Sequence, residues 1–303
     1  MNLTVTGGAG FIGSHLSKYL LKKGHNVCVI DSLRRGSLTN LNEIKEQIDF
    51  QKIDILDYDA MKDILKNSDG IFHQAALGSV PQSFKEPQEY HRVNAIGTEN
   101  ILKLAKEFGI KVVYASSSSV YGNQNKFPIK EDVPKKPLNP YGQSKLVAEQ
   151  FAENYAKTGT KVIGLRYFNV FGIGQNPNYA GVIPKFIEQL VEHKPPVIYG
   201  DGTQLRNFTF IDDVVESNIL AFESKVSHAF INIASGVMTS INQLADTMIK
   251  LSGLTIKPVY EKAREGDIIK SQADISLASE LMGWKPKISL DEGLKKIFPK
   301  IEK

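Results

Sequence analysis

The sequence predicts an α/β protein: a doubly wound parallel sheet with a smaller α/β domain interleaved with it. Three observations carry that prediction. Up to Leu165 short apolar runs alternate with helical patterns, and β-α-β-α order implies parallel strands joined by crossover helices. A glycine-rich turn, TGGAGFIGSH at residues 6–15, joins the first run to the first helix. Beyond Leu165 the rhythm gives way to loop signals, NPN at 176–178, PP at 195–196 and GDG at 200–202, before one more strand-like run at 230–233.

The runs at 3–6, 27–30, 71–74, 112–115 and 162–165 are rich in β-branched residues, as strands of a sheet covered on both faces are. Between them the spacing predicts helices over 12–23, 59–66, 89–108 and 141–158. Gly24 closes the first helix, because a C-terminal cap favours a left-handed backbone. Later helices are predicted over 182–192, 212–223 and 241–251, the last with Ser240 as its cap. The run at 230–233 reads as a strand returning to the first sheet. Residues 1–167, with a returning segment at about 208–235, then form the first domain. Residues 168–207 and 236–303 form the second.

A chain of 303 residues with 42% apolar content can bury one large core and a smaller one. The net charge of +4 is too mild for a nucleic-acid partner but suits a small anionic substrate. No block of five like charges marks a tail or membrane patch. The single cysteine, Cys28, cannot form an internal disulfide and reads as a small buried strand residue in a reducing compartment. The strand-like start runs straight into the glycine turn, which leaves no room for a signal peptide, and no apolar run spans a bilayer. A cytoplasmic protein without a metal is expected.

Gly7, Gly8, Gly10 and Gly13 satisfy both spacings of the dinucleotide turn. Such a turn must be tight, admit the pyrophosphate to backbone N–H groups, and pack its helix closely on its strand. The helix that follows points its positive N-terminus at the phosphates. The position between a strand and a helix is the context the motif requires. Asp31 ends the second strand, where a carboxylate would hold the adenosine ribose and repel a 2′-phosphate, favouring NAD over NADP. Arg34 and Arg35 read as a solvated loop, with a 2′-phosphate site as the competing reading. Asp54 and Ile55 follow a third strand and could meet the adenine edge.

Tyr141 and Lys145 stand four residues apart at a helix start, so they share one face. A free phenol has a pKa of about 10. A neighbouring ammonium and a positive nicotinamide both favour the phenolate, which could then serve as a general base near neutral pH. Ser116 to Ser119 follow an apolar strand at the carboxyl edge, where such sheets bind ligands. From there Ser117 or Ser118 could donate to a substrate oxygen.

With these residues in place, the chain resembles the extended short-chain dehydrogenase/reductases, and within them the nucleotide-sugar 4-epimerases. The resemblance runs through nearly the whole chain. It rests on TGGAGFIGSH, Asp31, Asp54-Ile55, HQAA at 73–76, VNAIGTENIL at 93–102, SSSSVYG at 116–122, PYGQSK at 140–145, LRYFNVFG at 165–172, GVIPKF at 181–186, YGDGTQLRNF at 199–208 and REGD at 264–267. It implies a Rossmann domain holding NAD and a second domain holding a UDP-sugar. Tyr141 would be the base, Lys145 its partner and Ser117 the hydrogen-bond donor. Gly7, Gly10, Phe11, Ile12, Gly13, Asp31, Asp54, Ile55, Ala75, Ala76 and Ser116 would line the cofactor. Asn94 would brace the lysine and Phe168 would pack near the nicotinamide. The sugar nucleotide would meet Gly78, Ser118, Asn169, Gln175, Gly181, Val182 and Tyr199, with Arg206 and Arg264 clamping its diphosphate and Asp267 on its ribose. A homodimer through helices 89–108 and 141–158 is also implied.

Two departures narrow the substrate. Dehydratases of this family carry an Asp-Glu pair after the catalytic Ser or Thr, and decarboxylating relatives a glutamate there; here Ser118 and Ser119 follow Ser117. Neither reaction is expected. Ser271 lies four residues after Asp267, where strict glucose/galactose epimerases often carry a tyrosine. The smaller residue leaves space for a 2-acetamido group. The expected reaction is reversible C4 epimerisation through a 4-keto sugar, with UDP-N-acetylhexosamines accepted as well as UDP-glucose and UDP-galactose. UDP-glucuronate epimerisation, a silent NAD-binding regulator and a net dehydrogenase are the rivals.

Overall fold

The computed structural model describes residues 1–175, 181–263 and 270–298. Six strands come first: β1 (Asn2–Thr6), β2 (Asn26–Ile30), β3 (Asp49–Gln51), β4 (Gly70–His73), β5 (Lys111–Ser117) and β6 (Val162–Tyr167). With the strand His228–Ile233 they form a seven-stranded sheet in the order His228–Ile233, β6, β5, β4, β1, β2, β3. Every pairing in it is parallel. From β1 the chain moves outward through β2 and β3, then returns to β4 on the other side. That reversal opens a crevice above the carboxyl ends of β1 and β4, the place where such sheets take ligands.

The central strands are buried on both faces, which is why they read as unbroken apolar runs. Helices Phe11–Lys22, Tyr58–Leu65, Gly97–Phe108, Pro140–Lys157 and Ile211–Glu223 cover the sheet. Gly24 follows the first of these at φ +81°, as its capping position demands. The helix expected over 89–108 is in fact three pieces. Pro87–His91 leads into a π-helical turn, Arg92–Ile96, and then Gly97–Phe108. The wide turn carries the buried Asn94 amide, whose Oδ1 accepts from the Leu77 amide (2.7 Å) while Nδ2 donates to the Leu77 carbonyl (3.0 Å). A π-turn in such a place commonly marks a functional site.

Cys28 is half-buried in β2, paired with Asp49. Burial first, then the Asp49 carboxylate, pushes its thiol up to about 12, so it stays protonated and inert.

After β6 the chain builds small sheets. Leu205–Asn207 lies between Met238–Ser240, antiparallel, and Lys270–Ser271, parallel. Val197–Tyr199 pairs with Val259–Glu261, and Val170–Phe171 with Thr209–Phe210. Residues 208–235 return to the large layer, adding the helix Ile211–Glu223 and the edge strand His228–Ile233. Ser240 caps the helix Ile241–Ser252 in a reciprocal box with Gln243. Among the described residues no helix is long and apolar enough to cross a membrane.

Candidate active site

The glycine turn is packed to its limit. Gly7 adopts φ +68°, and a Cβ there would sit 2.5 Å from the Ala75 amide nitrogen. At Gly13 a Cβ would lie 2.2 Å from the Gly7 carbonyl oxygen, and at Gly10 3.0 Å from the same atom. Only bare backbone fits. The helix beginning at Phe11 and Ile12 has Gly10 as its N-cap, no side-chain cap and no acidic residue in its first turn. Its positive end is therefore left for an anion. Asp31, 8% exposed, accepts from the amides of Ala9 (3.0 Å) and Leu33 (2.8 Å), and burial pushes its carboxyl upward. Gly7, Gly10, Asp31, Asp54, Ile55, Ala75 and Ala76 line one crevice. Asp54 turns one oxygen onto the Leu56 amide (3.0 Å). Ile55 is buried against Gly97, where a Cβ would meet its Cδ1 at 2.5 Å. These are the features a dinucleotide needs, and the residues fit the group. Arg34 pairs with Glu86 and Glu89, and Arg35 bonds Gln82. Both arginines are thus engaged across the crevice mouth.

At the carboxyl end of β5, alternation of the pleat sends neighbouring serines to opposite faces. Ser117 stands close enough to the Tyr141 phenol to lower its pKa, and its hydroxyl accepts from the Ser119 amide at 3.1 Å. Ser116, expected to contact the cofactor, gives its hydroxyl to Glu149 at 2.6 Å, two turns further along the helix that carries Tyr141. Tyr141 and Lys145 sit in the first two turns of Pro140–Lys157, which opens with Asn139 capping the Gly142 amide (2.8 Å). Lys145 is 4% exposed and its Nζ donates to the Ala115 carbonyl at 2.8 Å. Burial pulls it down to about 8, with Glu149 opposing. The Tyr141 phenol differs from expectation, for burial pushes it up, the Ser117 hydrogen bond pulls it down and Tyr90 pushes it up again. In this chain by itself burial outweighs any neighbouring cation.

Asn94 donates to Ser144 (2.9 Å), whose hydroxyl donates to the Tyr141 carbonyl (2.7 Å), so it braces the turn that carries the pair. Beneath Lys145 lies His73, bonded to Thr6 (2.6 Å) and Thr98 (2.9 Å). Burial first, then the Lys145 charge, drives it down to about 3.

A second cavity, of about 290 Å³, is lined by Asn169, Gln175, Gly181, Val182, Tyr199 and Arg206 among others. Asn169 stands at φ +24° and donates to the Asn207 carbonyl (2.9 Å). The Gln175 amide donates to the Val170 carbonyl (3.0 Å), while its oxygen is buried without a hydrogen-bond partner among the described residues. Arg206 faces Ser271 across the strand pair, and Ser271 is buried. Phe168 is fully buried with Tyr121, Ile129 and Ala234 and lines neither cavity. Gly78 is exposed, with open space where a Cβ would stand. Ser118 opens a short 3₁₀ turn beside Ser117. Arg264 and Asp267 lie outside the described residues. Among those residues no cluster of His, Cys, Asp or Glu is placed to hold a metal.

Sequence reasoning missed the buried pair Glu149–Arg166. The signal was present: Glu149 repeats the four-residue step of Tyr141 and Lys145, and Arg166 is a charge within a buried strand, which is almost always paired.

The profile of the NAD dependent epimerase/dehydratase family matches residues 3–234. A UDP-N-acetylglucosamine 4-epimerase from Methanobrevibacter ruminantium, solved with UDP-N-acetylmuramic acid, is 38% identical with a TM-score of 0.94, covering 98% of this chain and 96% of its own. The UDP-glucose 4-epimerase of Thermotoga maritima, solved with UDP-glucose, is 37% identical with a TM-score of 0.94, covering 98% and 97%. A UDP-glucuronate 4-epimerase from Thermodesulfobacterium geofontis is 37% identical over 96% of this chain and 93% of its own length.

Proposed function

The chain belongs to the NAD dependent epimerase/dehydratase family, and from that premise we propose that it interconverts the C4 epimers of a UDP-hexose, UDP-N-acetylglucosamine/UDP-N-acetylgalactosamine as well as UDP-glucose/UDP-galactose. The observation that supports the reading is Tyr141 set against Ser117, with Lys145 one turn further along the same helix and bonded to the end of β5, near a glycine-lined crevice fit for a dinucleotide. When bound, NAD supplies the acceptor for the C4 hydride and its later donor. Tyr141 takes the 4-hydroxyl proton as the carbonyl forms and returns it as the alcohol is remade. Ser117 donates to the same oxygen. Lys145 contributes the cation that the developing phenolate needs. Arg206, with Arg264 and Asp267, grips the nucleotide while the 4-keto hexose turns, so binding energy is spent away from the reacting carbon.

Ser118 and Ser119 supply no acid–base pair for dehydration and no glutamate for decarboxylation. A buried Ser271 paired with Arg206 supports the N-acetylated substrates, since a serine takes less room than the tyrosine of strict glucose/galactose epimerases. The protein is also expected to be a homodimer, checked by light scattering in solution. The reaction is tested by incubating the purified protein with UDP-glucose, UDP-N-acetylglucosamine and UDP-glucuronate separately, without added NAD, and resolving the products. The 4-epimer of a neutral hexose, with no accumulation of NADH, is the expected result. Turnover of UDP-glucuronate alone would replace the substrate assignment, and stoichiometric NADH would replace the reaction.

A further inference from the structure

Glu149 lies one turn beyond Lys145 on the catalytic helix yet lines neither cavity. Its carboxylate receives two bonds from Arg166, Nε to Oε1 and Nη2 to Oε2, both 2.8 Å, and a third from Ser116. The two side chains are 3% and 1% exposed. The Arg166 Nη1 donates to the Tyr121 hydroxyl (2.8 Å) and to the Glu131 carbonyl (3.0 Å). Tyr121 in turn donates to the Asn232 Oδ1 at 2.5 Å. The Asn232 amide then donates to the carbonyls of Ile129 (3.0 Å) and Asp274 (3.1 Å). Asp274 is three residues past Ser271, the partner of Arg206.

The path is continuous. It starts on the helix of Tyr141 and Lys145, touches the neighbour of Ser117, crosses β6 and the edge strand, and ends on the segment that flanks the nucleotide-binding strands. A buried ion pair is a poor source of stability, because desolvation offsets its attraction. Its best-attested use is to fix one arrangement over others. We propose that Glu149 and Arg166 are positioning residues for the reaction: they lock the catalytic helix to the serine-bearing end of β5 and tie both to the segment 270–275. This rests on the reaction proposed above. The frame matters because the phenol and the nucleotide grip sit on different small units, and an error of about 1 Å between them can cost ~10²-fold in rate.

Glu149→Gln in the full chain tests the proposal, since it keeps the shape and removes the charge. Steady-state kinetics should show kcat falling by roughly 10- to 100-fold, with KM for the UDP-sugar changed by less than about threefold. Tyr121→Phe, a milder change further along the path, should lower kcat in the same direction. Amide hydrogen exchange supplies a readout that needs no turnover. In Glu149→Gln the segment 270–275 should lose protection by about tenfold, while the helix Phe11–Lys22 stays unchanged. A folded Glu149→Gln with wild-type kcat, or with unaltered exchange at 270–275, overturns the proposal. If the wild type epimerises no UDP-hexose, the reaction assignment fails separately, and the exchange result still decides whether the tie exists.

Discussion

His73 is a histidine whose protonation state is set by its neighbours. The Thr98 hydroxyl donates to the Asn94 carbonyl (2.6 Å), so it can only accept from the His73 Nε2–H. Nδ1 is left as the acceptor for Thr6. A second proton would put a charge out of reach of water and beside that of Lys145, and for those reasons, burial first, the ring is driven down to about 3. The folded pKa lies below the ordinary 6.5, so the unfolded chain takes up the proton first as pH falls. Stability from this group is complete above about pH 6.5 and is lost progressively toward about 3. At pH 4.5 the expected loss is on the order of 3 kcal/mol. Urea midpoints at pH 7 and 4.5 should diverge in the wild type and converge in His73→Gln, whatever that variant costs at neutral pH. Tyr141→Phe should reduce kcat by about 10²–10⁴-fold while NAD still co-elutes with the protein, because the hydroxyl serves chemistry and the crevice is untouched. Near-normal turnover in that variant would remove Tyr141 as the base.

At the scale of the element, the glycine turn and the Gly78 loop make opposite predictions from one argument. A methyl at Gly13 would meet backbone 2.2 Å away, which cannot yield cheaply. Gly13→Ala should lose bound NAD and at least about 2 kcal/mol of stability, measured by cofactor absorbance and urea midpoint. Gly78 has open space around it, so Gly78→Ala should fold as the wild type and show any effect in KM for the UDP-sugar. The same scale explains what could be read in advance. The strand runs at 3–6, 27–30, 71–74, 112–115 and 162–165 were legible because a covered sheet demands apolar runs with β-branched residues. The π-turn Arg92–Ile96 was not, because one extra residue in a turn barely disturbs an apolar stripe. Leu205–Asn207 and Val197–Tyr199 are too short to show any period. Val80–Lys85 could have been found, since Ser79 caps it and Pro81 lies in its first turn. Within the site, residues on one motif were legible and those joined only by the fold, such as Glu149 with Arg166, were not.

Across the whole molecule, Asp213 helps join the C-terminal part to the large sheet layer without any β-pairing. Asp213, in the first turn of Ile211–Glu223, accepts from the amides of Lys287 (3.0 Å) and Ile288 (3.1 Å), and its carbonyl accepts from Trp284 Nε1 (2.9 Å). Trp284 is 1% exposed, while the Lys287 and Ile288 amides are part-buried. The helix Leu290–Ile297 that follows packs beside Ile241–Ser252, and Ile241 lines the second cavity, proposed above to take the nucleotide sugar. In Asp213→Asn a single neutral oxygen must serve two part-buried amides, so the loss stays toward the lower end of the about 1–3 kcal/mol that a fully buried unpaired amide costs. The joint supports the binding side and not the phenol, so Asp213→Asn should lower the urea midpoint accordingly and raise KM with kcat held. A ligand that binds only the folded state adds about 2.7 kcal/mol at 100 times its Kd. Saturating UDP should therefore move the midpoint of the variant upward as it does that of the wild type, restoring much of the gap to untreated wild type. A variant as stable as the wild type without UDP would show that Asp213 is not the joint, and a fall in kcat at constant KM would show that the joint bears on the phenol instead of the nucleotide.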